Sequence, residues 1–255
     1  MASNEQSVTL LRRNKQAQVD ALNSLGFSLT EGARASAFPE LTKWSAGLLD
    51  VTIAANRIRD NKKFFFTLEE WQSLSATEQG LFILRGLRIR ACATSFIIAA
   101  EDINSKAWGG SVSVANAHNH KTKRDNYSYW DAWKETNYVI DAYTDKTANG
   151  VIGAPAAEAA VAYKAFTEDA DGLEDSSQWC LPTLAQLTVM FRFRTEINAI
   201  ITAVWASDFC LSTTASYWTC QQYDTSNAYR MNFDSGSAYV EGKTNLKTVR
   251  PICLD

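Results

Sequence analysis

The residues that could carry chemistry in this chain are few, and their spacing argues against most of what they could do. A serine or cysteine nucleophile needs a base within reach to take its proton, and histidine is the usual base. The chain has 2 histidines, His118 and His120, which share one polar run far in sequence from any nucleophile signature. No glycine-rich phosphate loop, dinucleotide fingerprint or His-Glu-x-x-His helix occurs. The expectation is a protein that is not an enzyme, with no catalytic residue, no cofactor and no metal. Neighbouring histidines such as His118 and His120 are ordinarily just exposed; they would reach a metal only if a trimer gathered its copies on an axis. The 5 cysteines (Cys92, Cys180, Cys210, Cys220, Cys253) show neither a Cys-x-x-Cys pair nor Cys/His metal spacing, so a zinc site is not expected and buried free thiols are.

Binding chemistry is better represented. Between residues 221 and 245 stand Tyr223, Asp224, Asn227, Tyr229, Arg230, Asn232 and Tyr239. These side chains combine an apolar body with a hydrogen-bonding tip, the type that contact surfaces favour. They are the candidate ligand-binding residues, while Trp218 and Phe233 nearby are expected in the core. The competing reading is that Tyr223 to Tyr229 is only a solvated turn.

These residues must be positioned by the elements around them. The helix after Pro182 has Thr183 as N-cap and Gln186 completing a capping box. Leu184, Leu187, Met190, Phe191, Ile197, Ile201 and Val204 then recur at 3- and 4-residue steps, which predicts one apolar stripe packed on a terminal sheet. Residues 211–218, 229–233, 237–241 and 249–253 read as strands of an antiparallel meander, with Asp234-Ser235-Gly236 as a turn. Upstream, Thr67-x-x-Glu70 and Ser75-x-x-Glu78 predict two short helices. Residues 87–91 and 96–100 predict a hairpin with Arg88 and Arg90 on its outer face. Residues 111–136 read as a long loop of the functional or interface-forming kind, residues 137–145 open a helix, and Pro155 starts an Ala-rich one. Residues 3–25 form an amphipathic helix stopped by Gly26, suited either to oligomerisation or docking or to packing on its own domain. Residues 28–61 are left open between strand and buried helix.

At 255 residues and 46% apolar, the chain can build one sizeable core or two modest ones. Its net charge of -3 argues against a dedicated nucleic-acid surface, and no nucleic-acid partner is expected. No run of 18 apolar residues exists and residues 1–6 lack a secretory signal pattern, so no membrane partner is expected and synthesis and folding are expected in the cytoplasm.

Three motifs carry a family resemblance: Trp179-Cys180-Leu181-Pro182-Thr183, the run from Tyr217-Trp218-Thr219-Cys220 to Ser235-Gly236, and the closing Val249-Arg250-Pro251-Ile252. Together they resemble the Fibrobacter-type paralogous and DUF1566 domains. The family usually has Trp-Ser-Ser where this chain has Trp218-Thr219-Cys220, and closes with Arg-Pro-Val rather than Arg250-Pro251-Ile252. The resemblance implies an α+β fold, with an N-terminal helical region (1–81) for attachment or oligomerisation. A C-type-lectin-like domain (82–255) follows, two or more helices packed on a small antiparallel sheet. It also places the family's variable face at residues 221–245. The stretch 65–102 resembles segments ahead of such domains in structural proteins of phages that infect Bacteroidales. On that resemblance the chain is a virion head fibre or tail appendage. It would be made in the host cytoplasm, homo-oligomeric and trimeric before dimeric. Its partners would be capsid or tail proteins and a host-surface glycan or protein. The calcium triplets of animal C-type lectins (EPN or QPD with WND) are absent, so any sugar binding is expected without calcium. The resemblance leaves three alternatives: a Cys180–Cys253 disulfide, a bacterial surface or cytosolic binding module of the same fold, and a relative of formylglycine-generating enzymes.

Overall fold

The first strand, β1 (Asp50–Arg57), pairs antiparallel with β2 (Lys62–Phe66), setting Ile53 opposite Phe66 and Ala55 opposite Phe64. Phe64 and Phe66 stack side by side and meet Phe82 edge-on at 5.2 and 5.0 Å, with Trp71 5.6 Å from Phe66. Edge-to-face geometry suits the ring quadrupoles and fixes this corner. Trp71 is delivered by α1 (Leu68–Ser73) and followed by α2 (Ala76–Gln79); in both, the capping box read from the sequence forms, around Thr67–Glu70 and Ser75–Glu78.

The computed structural model describes residues 50–91, 94–115, 126–165, 175 and 177–254. The expected helix at 3–25, Cys92, His118 and His120 lie outside them. Nearly all described residues belong to one compact unit, 51–89 with 95–255; the second unit, Met1–Asp50 with Arg90–Thr94, includes few of them.

The expected hairpin is present as β3 (Phe82–Ala91) and β4 (Thr94–Ile98). Leu87 and Ile89 are buried while Arg88 is half-buried and Arg90 exposed, as the alternation requires. Gly86 sits at φ +153°, where a Cβ would strike the Ile98 carbonyl, so the strand needs glycine there. Further on come β5 (Ile103–Ala107), α3 (Ala132–Tyr143), a small hairpin of β6 (Thr147–Ala148) and β7 (Val151–Ile152), α4 (Pro155–Ala162) and β8 (Trp179–Cys180). The α3 helix starts at 132 rather than 137, because the Asp131 carboxylate accepts from the Lys134 amide at 3.2 Å and caps it. The expected loop of 111–136 is shortened accordingly.

The stripe after Pro182 is carried by two helices, not one: α5 (Leu184–Arg192) and α6 (Arg194–Val204). The Thr183–Gln186 capping box forms, and Leu184, Leu187, Met190, Ile197 and Ile201 are buried as predicted. The break falls at Phe193, whose backbone leaves the helical region (φ -107°, ψ 22°). It lets Phe191 pack on Phe233 at 5.6 Å and on Gly236, where a Cβ would strike its ring. Arg194 bonds the Phe233 carbonyl.

The last third contains β9 (Ser216–Gln222), β10 (Asn227–Asn232), β11 (Ser237–Gly242), β12 (Leu246–Val249) and β13 (Ile252–Leu254). Only β9, β10 and β11 form the expected antiparallel meander. The β12 strand crosses to lie parallel beside β9 and antiparallel to β5, giving a five-stranded sheet ordered β11-β10-β9-β12-β5. Pro251, which has no N–H to donate, then separates β12 from β13. The β13 strand joins the other sheet, ordered β2-β1-β3-β4-β13-β8. The expected domain line at 81/82 therefore falls between β2 and β3, strands of one sheet. The result is an α+β fold with 6 helices and 13 strands among the described residues. Helices α3 and α4 cover one face of the five-stranded sheet in a core of Trp108, Val139, Tyr143, Leu181, Trp218 and Val249, and α5 packs on β9 and β10. Among the described residues no helix is long and apolar enough to cross a membrane.

Candidate recognition site

The residues that make the sequence recognisable turn inward. Trp179 donates its indole N–H to Asp175 at 2.7 Å. Burial pushes the Asp175 pKa up, but donors from Ser177, Ala165 and Trp179 outweigh it and hold the carboxyl below its ordinary value. Trp108 donates to the Thr219 carbonyl at 2.7 Å, and Trp218 to the Lys106 carbonyl at 2.9 Å. Gln221 accepts from the Leu184 amide at 2.7 Å, adding a partner at the N-terminus of α5. Fully buried Arg250 bonds Asp102 at 3.0 Å and the carbonyls of Ala100 and Phe209, each at 2.9 Å. All of these are scaffold contacts.

The seven candidate residues split into two groups. Asp224 accepts from the amides of Ser226 and Asn227 and from the Asn227 side chain, closing an Asx turn on itself. Asn232 likewise accepts from the Asp234 amide. Tyr229 is 1% exposed and meets half-buried Tyr223 edge-on at 5.6 Å, so it is a core ring and not a contact residue. The pairing of β9 with β10 is irregular between Ala228 and Arg230, but β10 keeps unbroken register with β11, so the neighbours Ala228 and Tyr229 point to opposite faces of the sheet and both faces are covered here.

Arg230 and Tyr239 form the second group. They are cross-strand partners, with the guanidinium 4.8 Å from the Tyr239 ring centroid. Arg230 also donates to Glu241 at 2.9 Å and to the Ser216 hydroxyl at 2.8 Å. Lys247 approaches the same carboxylate at 3.5 Å, and Asn245 donates to it. Partial burial pushes the Glu241 pKa up; the bonds from Arg230 and Asn245 and the Lys247 charge outweigh it, leaving the group below its ordinary value. The patch thus carries two cations around one anion beside a ring that is 42% exposed. Such a surface can stack an apolar ligand face and hydrogen-bond its polar groups. Sequence reading missed Glu241 and Lys247. The alternation of Tyr239 and Glu241 along β11 was the signal, since it sets both on the Arg230 face.

Lys243 is a buried group outside both sets. It is 1% exposed, donates to the Val112 carbonyl at 2.8 Å and Gln222 at 2.9 Å, and lies 4.6 Å from the Trp108 ring centroid. Burial lowers its pKa to about 8, against a smaller upward pull from Asp224. The unfolded chain, with an ordinary lysine, therefore binds more protons between that value and about pH 10.5, so this group raises stability as pH rises through the window. The expected gain of the native chain over Lys243→Met between about pH 7.5 and 10 is about 1 to 3 kcal/mol. Urea melts of both proteins at successive pH values measure it, and parallel pH profiles would refute a buried charged lysine. The comparison with the variant removes the buried tyrosines, whose raised pKa values give the opposite slope at higher pH.

No disulfide joins Cys180, Cys210, Cys220 and Cys253, so the Cys180–Cys253 bridge does not form. Among the described residues, no group of three His, Cys, Asp or Glu is placed to hold a metal. No family model and no curated protein matches the sequence. Among solved structures the chain is similar to a fimbrial protein from Bacteroides ovatus, with 11% identity and a TM-score of 0.45, over 63% of this chain and 35% of that one. The match thus spans about a third of the length of the fimbrial protein.

Proposed function

We propose that this chain is a structural virion protein of a tailed phage, a head fibre or tail appendage, with a C-type-lectin-like domain over 82–255 that contacts the host surface. On this reading residues 1–81 attach or oligomerise it, the assembly is a homotrimer bound to capsid or tail proteins, and the protein is made in the host cytoplasm and carried out on the particle. The motif resemblance supports the class of protein. The observation that carries the recognition role is the Arg230–Tyr239 pair, in which internal bonds hold the guanidinium in place beside a Tyr239 ring that remains exposed. A binding rather than catalytic role is favoured by the thiols: burial raises the Cys180 and Cys220 pKa values well above the ordinary one, which suppresses the reactive thiolate.

The test is adsorption of the labelled protein, sized first by light scattering, to candidate host cells, with antibody detection of the chain in purified virions. Replacing Arg230 by Ala and Tyr239 by Ser together is expected to weaken adsorption, at about 1 to 2 kcal/mol per contact residue, while melting temperature changes little. Chelator should have no effect. Absence from virions removes the phage reading, a monomer removes the self-sufficient trimer, and unchanged adsorption by the folded double variant removes this face.

A further inference from the structure

A concave site that shares no residue with that patch lies between the chain after β5 and helix α3. It is a pocket of about 300 Å³ lined by Ser113, Ala115, Tyr138, Asp141, Ala142 and Lys146. Tyr138, Asp141 and Ala142 stand three and four residues apart and so share one side of α3. The opposite wall is held from behind. Val112 is fixed by Lys243, and Val114 by paired bonds with the Gln222 amide at 3.1 and 3.2 Å, so Ser113 lies between two anchored residues and Ala115 directly follows the second. The Tyr143 hydroxyl donates to the Gly110 carbonyl at 2.5 Å and ties this segment to the helix. A pocket with fixed walls loses little freedom when a ligand enters.

Its polar groups are also uncommitted. The hydroxyls of Ser113 and Tyr138, the Asp141 carboxylate and the Lys146 ammonium make no hydrogen bond or ion pair among the described residues. This contrasts with Asp224, Asn227, Asn232 and Glu241, all bonded internally. We propose that this pocket binds a pyranose ring, such as the terminal unit of a glycan. The half-buried Tyr138 ring packs in part on the core, has the Lys134 ammonium 5.7 Å from its centroid and lines the pocket, where it can take the C–H face of a sugar. Asp141 can accept from hydroxyls, while Lys146 and Ser113 can donate to them. One acid and one base leave no net charge for an ionic ligand to answer. A free amino acid would have to rely on two exposed ion pairs, which are worth little in water. The two small alanines leave space for a ring, and the volume lies at the low end of ligand pockets.

The inference goes beyond the proposed function and does not depend on it. The test titrates the isotope-labelled full chain with methyl glucopyranoside, methyl galactopyranoside and N-acetylglucosamine, with alanine as the zwitterionic control, following backbone amide signals by NMR. Saturable shifts centred on residues 113, 138, 141 and 146 are expected with at least one pyranoside. Asp141→Asn and Lys146→Met, both at exposed positions, should each weaken binding about tenfold, the size of a lost charge-assisted hydrogen bond. Tyr138→Ala should abolish it. The proposal fails if no pyranoside gives a saturable response, if alanine alone does, or if neither exposed variant changes the affinity.

Discussion

Alanine at position 218 is expected to destabilise the protein by about 3 to 5 kcal/mol, the usual cost of deleting a buried aromatic side chain. Trp218 is fully buried in the core that joins β9 to α3 and α4, beside Trp108, Leu181 and Val249. Two terms add up. The indole is too large for its neighbours to collapse into the space it leaves, and the Lys106 carbonyl loses its donor at 2.9 Å. Trp218→Phe separates them: it keeps most of the ring and should lose only about 1 to 2 kcal/mol, mainly the hydrogen bond. Trp218 also stands opposite Arg230 on the neighbouring strand, so a folded alanine variant should show a disturbed recognition patch as well. Urea denaturation with near-ultraviolet dichroism measures the stability. A loss below about 1 kcal/mol for the alanine variant would mean that this strand does not lie in the core.

Features whose cause is local could be read from the sequence. A capping box needs four residues and forms wherever they occur, which is why Thr67–Glu70, Ser75–Glu78 and Thr183–Gln186 are all present. The alternation along β3 and the burial of Trp218 and Phe233 follow from simple periodicity and size. What escaped depends on partners far along the chain. Nothing within residues 184–204 announces the break at Phe193, because the contacts of Phe191 and Arg194 there are with Phe233 and Gly236. The burial of Tyr229 beside an equally buried Ala228 depends on cover over both faces of β10, which the strand's own residues do not announce. The change of sheet at Pro251 is half legible, since proline forbids continuation but does not say where the chain goes next. At the candidate site the residue types were readable and their commitments were not. Asp224 and Asn232 have side chains suited to ligands, and local backbone amides claim them first, while the Asn227 side chain donates to the Asp224 carboxylate. The pocket beside α3 was invisible for the opposite reason: its walls come from segments on either side of the polar run that holds His118 and His120.

Arg250, read from the sequence only as part of a family signature, is expected to be as costly to remove as Trp218, and with a distinct pH dependence. Replacing it by Met should cost about 3 to 5 kcal/mol near neutral pH, the range for breaking a buried pair from one side. Its side chain reaches Asp102 and two backbone carbonyls, so methionine takes a donor from each of the three acceptors. Asp102 is the group that titrates. Burial already raises its pKa, and the Arg250 charge and the Tyr217 hydroxyl, donating at 2.7 Å, limit that rise. A carboxyl whose folded pKa lies above its unfolded one binds more protons when folded, so it subtracts from stability as pH rises through the interval between the two. Without Arg250 the folded value climbs further and the interval widens. The stability gap between native protein and Arg250→Met should therefore be largest near neutral pH and narrow on acidification, as Asp102 in the variant takes up its proton. Denaturant melts of both proteins from about pH 7.5 down to about pH 5 measure this directly, and Asp102→Asn in the variant background should remove most of the pH dependence. A gap that stays constant with pH would show that Arg250 contributes by packing alone, with its guanidinium bonds of no consequence for the Asp102 charge.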